Sequence, residues 1–208
     1  MAEIEEGMVI GLGSGSTAEI ALALLAERRL RIVGVPTSER TAGLARRLGI
    51  ALGTLDDHPA LDLAIDGADQ VERGSLDLIK GLGGALLREK IVASAARRLI
   101  VMVDERKLVD RLGTTLLPVE IVAFGWRSTL ARLERAGYQP SLRGGAERPF
   151  VTDNGNLIAD CATGAIEEPR ALEAGLRAVI GVIDTGLFLG FAPRVVVASA
   201  RGIEILER

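Results

Sequence analysis

Between Met8 and Asp104, short apolar runs alternate with helical stretches, and few architectures accept that alternation. Met8–Gly11, Arg31–Val35, Leu61–Ile65 and Leu99–Val103 read as strands. Ser16–Leu30 reads as a helix, with Ile20, Ala23, Leu24 and Glu27 setting its faces. Ser38–Leu48 reads as a second helix closed by Gly49 at C′, and Gly84–Arg98 as a third. Strands separated by helices imply βαβ units, hence a Rossmann-like parallel sheet with helices on both faces.

The rhythm changes after about Leu116–Pro118. Val119–Ala123, Gln139–Arg143, Phe150–Thr152, Leu157–Cys161 and Ile183–Leu187 read as strands, and Ser128–Ala136 and Pro169–Val179 as helices. The turn "DNGN" between Phe150–Thr152 and Leu157–Cys161 is a strong hairpin signal. Apart from one extra strand, this is the β-α-β-β-α-β order of a smaller, ferredoxin-like α+β domain. Arg194–Ser199 and Ile203–Leu206 are strand-like again and are expected to return to the first sheet. The expected division is therefore a Rossmann-like α/β domain over 1–117 and 195–208 that carries the active site, with an α+β domain over 118–194.

Composition closes off several functions. The formal net charge of -3 gives no basic footprint for nucleic acid. Cys161 is the only cysteine, so no intrachain disulfide forms, which fits a reducing cytoplasm. The acidic start "MAEIEEGM" does not read as a signal peptide, and no apolar run nears the roughly 20 residues that cross a bilayer. His58, the only histidine, sits in the polar stretch "LDDHPA" and reads as a surface-loop residue; no His-His metal site is possible.

Four stretches carry chemistry. In "GLGSGSTAE", Gly11, Gly13 and Gly15 let backbone approach a ligand, and Ser16 with Glu19 has the spacing of a capping box. A helix N-terminus there stabilises an anion, and the hydroxyls of Ser14, Ser16 and Thr17 suit a phosphate. The stretch is neither G-x-G-x-x-G nor a P-loop. In "IDGADQV", Asp66 and Asp69 follow a strand, where ligands of parallel sheets bind. Two carboxylates in one cleft repel, so one of them requires a raised pKa or a cationic partner. In "KGLGGALLREK", Lys80 precedes a second Gly-rich turn and can pair with an oxyanion; Arg88, Glu89 and Lys90, read alone, form a solvated helix face. In "VDERKLV", Asp104 ends a strand and Lys107 follows it. With no cofactor motif, nucleophile elbow or metal cluster, this set suits proton transfer on a small phosphorylated sugar.

"GLGSGSTA", "DGAD", "KGLGGALLREKIVA", "PVEIVAFGW" and "VTDNGN", in that order, resemble the type A ribose-5-phosphate isomerase family from about Val9 to Phe188; "GVIDTGLF" also looks like the family's closing stretch. The resemblance implies a cofactor-free, metal-free cytoplasmic isomerase of the non-oxidative pentose phosphate pathway that interconverts D-ribose 5-phosphate and D-ribulose 5-phosphate. Its expected partners are the small-molecule sugar phosphate and further copies of itself, as a homodimer or homotetramer, with no nucleic acid and no membrane. It makes Glu89 the base that moves a proton between C2 and C1 through a cis-enediolate, against its reading as a solvated residue. It places Ser14, Gly15, Ser16 and Thr17 at the substrate, and "DGAD" (Asp66, Gly67, Ala68, Asp69) on sugar hydroxyls, with Asp66 assisting ring opening. Lys80 stabilises the enediolate oxygen beside Gly81, Leu82 and Gly83, and Lys107 is a second cation on the substrate. The sequence departs from the family pattern in three places. The usual N-terminal helix with its lysine has no counterpart before Met8. Leu82 interrupts a run that is usually all glycine, and Gln70 replaces an acidic residue. Two other readings remain. One is a sugar-phosphate-binding regulator on the same fold. The other is a methyltransferase, which requires an acidic ribose ligand where "VPTSER" offers only Glu39 beyond the strand.

Overall fold

A computed structural model describes residues 3–207. In chain order its first elements are β1 (Val9–Leu12), α1 (Ser16–Glu27), β2 (Val33–Pro36), α2 (Glu39–Arg47), β3 (Ala51–Leu52), β4 (Leu63–Asp66), β5 (Gln70–Glu72) and β6 (Leu78–Ile79). Then come α3 (Leu86–Ala95), β7 (Leu99–Asp104), a 3-10 turn over Glu105–Lys107, β8 (Leu108–Val109), β9 (Leu117–Ile121) and α4 (Trp126–Arg135). β10 (Pro140–Leu142), β11 (Leu157–Cys161), α5 (Pro169–Arg177), β12 (Val182–Thr185), β13 (Leu187–Phe188), β14 (Arg194–Ser199) and β15 (Gly202–Leu206) complete the chain.

These elements form two compact units. The first holds the described residues up to Ala68, Arg88–Arg106 and the chain from Phe191 onward; the second holds Asp69–Leu87 and Lys107–Gly190.

The first unit is built on a seven-stranded sheet in the order β15-β14-β7-β4-β1-β2-β3. All its pairings are parallel except β14 with β15. The tail does return to this sheet, because β14 pairs with β7. Chain order reverses direction at β1, with β2 on one side and β4 on the other, so the carboxyl ends of β1 and β4 lie at the topological switch point. Period-two alternation explains the layers. Ile10, Leu12, Leu63, Ile65 and Ile100 join Leu22 and Leu25 of α1 in one buried cluster. Gly11 faces Val92 of α3, where an added Cβ would lie 2.4 Å from Val92 Cγ1. A residue as small as glycine is what lets that helix pack closely.

Helix α1 differs from the sequence reading in two respects. Its buried face is Ala18, Ala21, Leu22 and Leu25, whereas Ile20 and Leu24 are exposed. The capping box does not form: Gly15 is the N-cap, no side chain caps the helix, and Glu19 pairs with Arg40 at 2.6 Å. Gly15 has φ +98°, a conformation that glycine reaches without strain and that turns the chain into the helix directly.

The second unit contains two four-stranded sheets. One, in the order β10-β11-β9-β12, is antiparallel throughout and carries α4 and α5 between its strands in the β-α-β-β-α-β succession. Its core gathers Val119, Ile121, Leu133, Leu157, Ala159 and Leu176. The expected strand at Phe150–Thr152 shrinks to one bridge between Val151 and Leu157. The reason is in the turn: Thr152 N–H donates to Asn156 O at 2.8 Å, while Thr152 Oγ1, Asn154 Nδ2 and Asn156 Nδ2 all converge on Oε1 of the buried Glu120. The second sheet, β13-β6-β5-β8, holds β6, the segment that leads into the Gly-rich turn after Lys80.

Candidate active site

The first unit carries a loop at the carboxyl end of β1. Gly13 N–H donates to Ile65 O of β4 at 2.8 Å. Asp66 is 4% exposed, and its Oδ1 accepts from Ser14 N–H at 3.2 Å and Gly67 N–H at 2.8 Å. The aspartate therefore ties the two strand ends together. A Cβ on Gly13 would stand 2.2 Å from Asp66 Oδ1 and 2.6 Å from Asp66 Cα, so this contact requires glycine. We predict that Gly13→Ala loses about 1–3 kcal/mol of stability from overpacking and displaces Asp66. Thermal denaturation together with kcat checks this; wild-type values in both would refute it.

A ring of hydroxyls braces the same loop from within. Ser14 Oγ donates to Ser38 Oγ at 2.8 Å, Ser38 Oγ to Thr41 Oγ1 at 2.9 Å, and Thr41 Oγ1 to Gly13 O at 3.0 Å. Thr37 Oγ1 lies 2.8 Å from Ser14 Oγ and donates to Leu12 O. Ser38 also caps α2 by accepting Thr41 N–H at 3.1 Å. Sequence reasoning did not assign Thr37, Ser38 and Thr41 any part in this loop. The signal was the hydroxyl run in "VPTSERT" at a strand's carboxyl end. Gly15, Ser16 and Thr17 remain exposed at the uncapped start of α1. Glu39, the residue a methyltransferase reading needs, is exposed and pairs with Arg88 at 3.0 Å.

Glu89 lies in the first turn of α3 and is 5% exposed, with the flanking Arg88 and Lys90 both partly exposed. It is not on a solvated face. A glutamate side chain is seldom buried, because desolvating its charged form is costly. Its burial within a strongly charged stretch marks Glu89 out from its neighbours.

The second unit carries a Gly-rich turn of its own. Lys80 is 3% exposed, its N–H donates to Gly186 O at 2.9 Å, and its Nζ stands 5.5 Å from the centre of the Phe188 ring. Asp69 Oδ2 accepts Leu82 N–H at 2.9 Å. Each aspartate of "DGAD" thus anchors a Gly-rich turn within its own unit. The positive φ angles fall on Gly81 (+105°) and Gly84 (+87°), and Leu82 is not among the residues with positive φ. The departure at Leu82 is accommodated for that reason, and its side chain is exposed. Gln70, the other departure, is buried; its Oε1 accepts Gly113 N–H at 2.8 Å and its Nε2 donates to Thr114 Oγ1. Lys107 ends the 3-10 turn and is half-buried.

Among the described residues, no cluster of histidine, cysteine, aspartate and glutamate is arranged to hold a metal. No described helix is long and apolar enough to cross a membrane. Burial pushes the Cys161 thiol up to about 12, so it is no ready nucleophile.

A family model for ribose 5-phosphate isomerase A (phosphoriboisomerase A) matches residues 33–202. The chain belongs to this family. It is 54% identical over 207 residues to the ribose-5-phosphate isomerase A of Gloeobacter violaceus, covering 98% of this chain and 90% of that one. The solved ribose 5-phosphate isomerase A of Methanocaldococcus jannaschii superposes with a TM-score of 0.92 at 37% identity, covering 100% of this chain and 94% of that one. A solved D-ribose-5-phosphate isomerase in complex with phospho-erythronic acid gives 0.93 at 41% identity, covering 100% and 93%. Family membership and the mixed α/β fold, with its mostly parallel sheet and separate antiparallel sheet, agree with the reading of the sequence.

Proposed function

We infer that this chain interconverts D-ribose 5-phosphate and D-ribulose 5-phosphate. Family membership supports the reaction, and the burial of Glu89 is the observation that carries the assignment of the base. In the open-chain aldose, the Glu89 carboxylate takes the proton from C2. The C2–H electron pair becomes the C1–C2 double bond, and the carbonyl pair moves to O1. A proton passes from O2 to O1 within the cis-enediolate, and Glu89 returns its proton to C1 to give the ketose. Lys80 offers positive charge to the enediolate oxygen, in a setting whose low exposure strengthens the interaction.

We assign the phosphate to the exposed Gly15–Thr17 backbone at the start of α1, where N–H groups and the helix dipole favour an anion. Lys107 is assigned as a further cation on the substrate, and Asp66 and Asp69 as acceptors for sugar hydroxyls. Asp66 also assists ring opening. The proposed setting is the cytoplasm, with further copies of the chain as partners.

The direct test is ribulose 5-phosphate formation from ribose 5-phosphate by the whole chain in EDTA, with the reaction repeated in D2O. Turnover is expected, with solvent deuterium entering at C1 of the ketose because the proton rests on an exchangeable carboxyl. Binding of ribose 5-phosphate without turnover would sink the isomerase reading and favour a regulator.

A further inference from the structure

The Gly-rich turn after Lys80 is held from a residue that sequence reasoning left out. Arg143 follows β10, and its guanidinium divides its donors between two partners. Nε donates to Asp160 Oδ2 at 2.9 Å and Nη2 to Asp160 Oδ1 at 2.5 Å. Nη1 donates to Gly81 O at 2.9 Å and to Leu82 O at 3.1 Å. The side chains of Arg143 and Asp160 are only 16% and 13% exposed. Phe150 completes the support: its ring centre lies 5.8 Å from the guanidinium carbon, and a Cβ on Gly84 would come within 2.4 Å of its Cζ.

Peptide geometry gives this clamp a direction. The C=O and N–H of one trans peptide point to opposite sides. Arg143 takes the Gly81 carbonyl and Asp69 takes the Leu82 N–H of the same peptide, so that unit is gripped at both ends. The next peptide has its Leu82 carbonyl on Arg143, which turns the Gly83 N–H to the side away from the guanidinium. Lys80 stands immediately before this turn and Glu89 a few residues after it.

We propose that Arg143 is a positioning residue for the isomerisation: paired with Asp160, it fixes the Gly81–Gly83 backbone so that Lys80 and the Gly83 N–H are set for the enediolate oxygen. This rests on the assignment of Lys80 and Glu89 above. The role requires a planar fork with several donors in fixed directions, which lysine does not supply. Bidentate pairing with Asp160 holds the fork in register.

The test compares wild type, Arg143→Ala, Arg143→Lys and Glu89→Gln by steady-state kinetics and circular dichroism. In folded Arg143→Ala, kcat is expected to fall about 100-fold, the cost of a displacement near 1 Å, with KM changed far less. Millimolar ethylguanidinium is expected to restore kcat by about an order of magnitude by refilling the site, a recovery that repair of bulk stability would not confine to kcat. Wild-type kcat in Arg143→Ala, or a folded variant that ethylguanidinium leaves unrescued, overturns the proposal. Should Arg143→Ala fail to fold, Arg143→Lys decides: a kcat equal to wild type overturns the proposal, and a fall in kcat at near-constant KM supports it. Retained activity in Glu89→Gln would remove the assignment of the base and this inference with it.

Discussion

Glu89→Gln is expected to lower kcat by about three orders of magnitude or more, at the upper end of what one positioned general base contributes. The substitution keeps the shape and nearly the volume of the side chain, so the packing of α3 is retained. What it removes is basicity. An amide cannot take the C2 proton, and no solvated neighbour substitutes for it, because Glu89 is 5% exposed. KM should change little if ground-state binding is carried by the phosphate and the sugar hydroxyls. Single-turnover measurements with deuterium at C2 check the step directly. In wild type, C1 should receive hydrogen partly from C2 and partly from solvent, and the residual reaction of the variant should lose the part that comes from C2. A kcat within tenfold of wild type would show that another group is the base.

Lys80→Met should be nearly as damaging. Loss of one preorganised donor to a developing oxyanion costs about 100- to 1000-fold in kcat. The side chain is 3% exposed and lies over the Phe188 ring, so the methionine is accommodated without exposing apolar surface. The loss should therefore appear in catalysis and not in stability. Lys80→Arg should fail to restore it, because a planar fork does not occupy the place of a compact ammonium. The check is kcat together with inhibition by a four-carbon aldonic acid phosphate, chosen because its carboxylate resembles the charged enediolate chemically. Weaker inhibition by Lys80→Met at unchanged melting temperature is expected. Unchanged inhibition and kcat would remove Lys80 from the oxyanion role.

The two substitutions differ in how far the sequence foretold them. Lys80 before a Gly-rich turn already pointed to an oxyanion. Glu89 between Arg88 and Lys90 looked like part of a solvated face, and only family resemblance contradicted that. The buried face of α3 explains the discrepancy, because local charge pattern does not report which side of a helix meets the core. Helix α1 teaches the same lesson twice. Its Ser16–Glu19 spacing fitted a capping box, yet the positive φ of Gly15 makes that glycine the cap, and Arg40 holds Glu19. Ile20 and Leu24 are exposed, while Leu22 and Leu25, of the same size, are buried beside Ala18 and Ala21. Apolar residues lie on both sides of this helix, so hydrophobic pattern alone could not tell which side meets the core.

The sequence by itself determined the succession of strand, Gly-rich turn and helix, the change to an antiparallel unit, and the motifs at strand ends. These follow from periods of two and about 3.6 residues and from glycine at the turns, all of which are local. Tertiary structure decided which groups hold those turns in place. Ser14 N–H reaches Asp66 across 52 residues of chain, and Arg143 reaches the Gly81 carbonyl across 62. Such partners meet only after β1 lies beside β4 and β10 has joined its sheet. No local spacing encodes them, because the hydrogen bonds that hold each turn are made by residues that folding alone brings within about 3 Å.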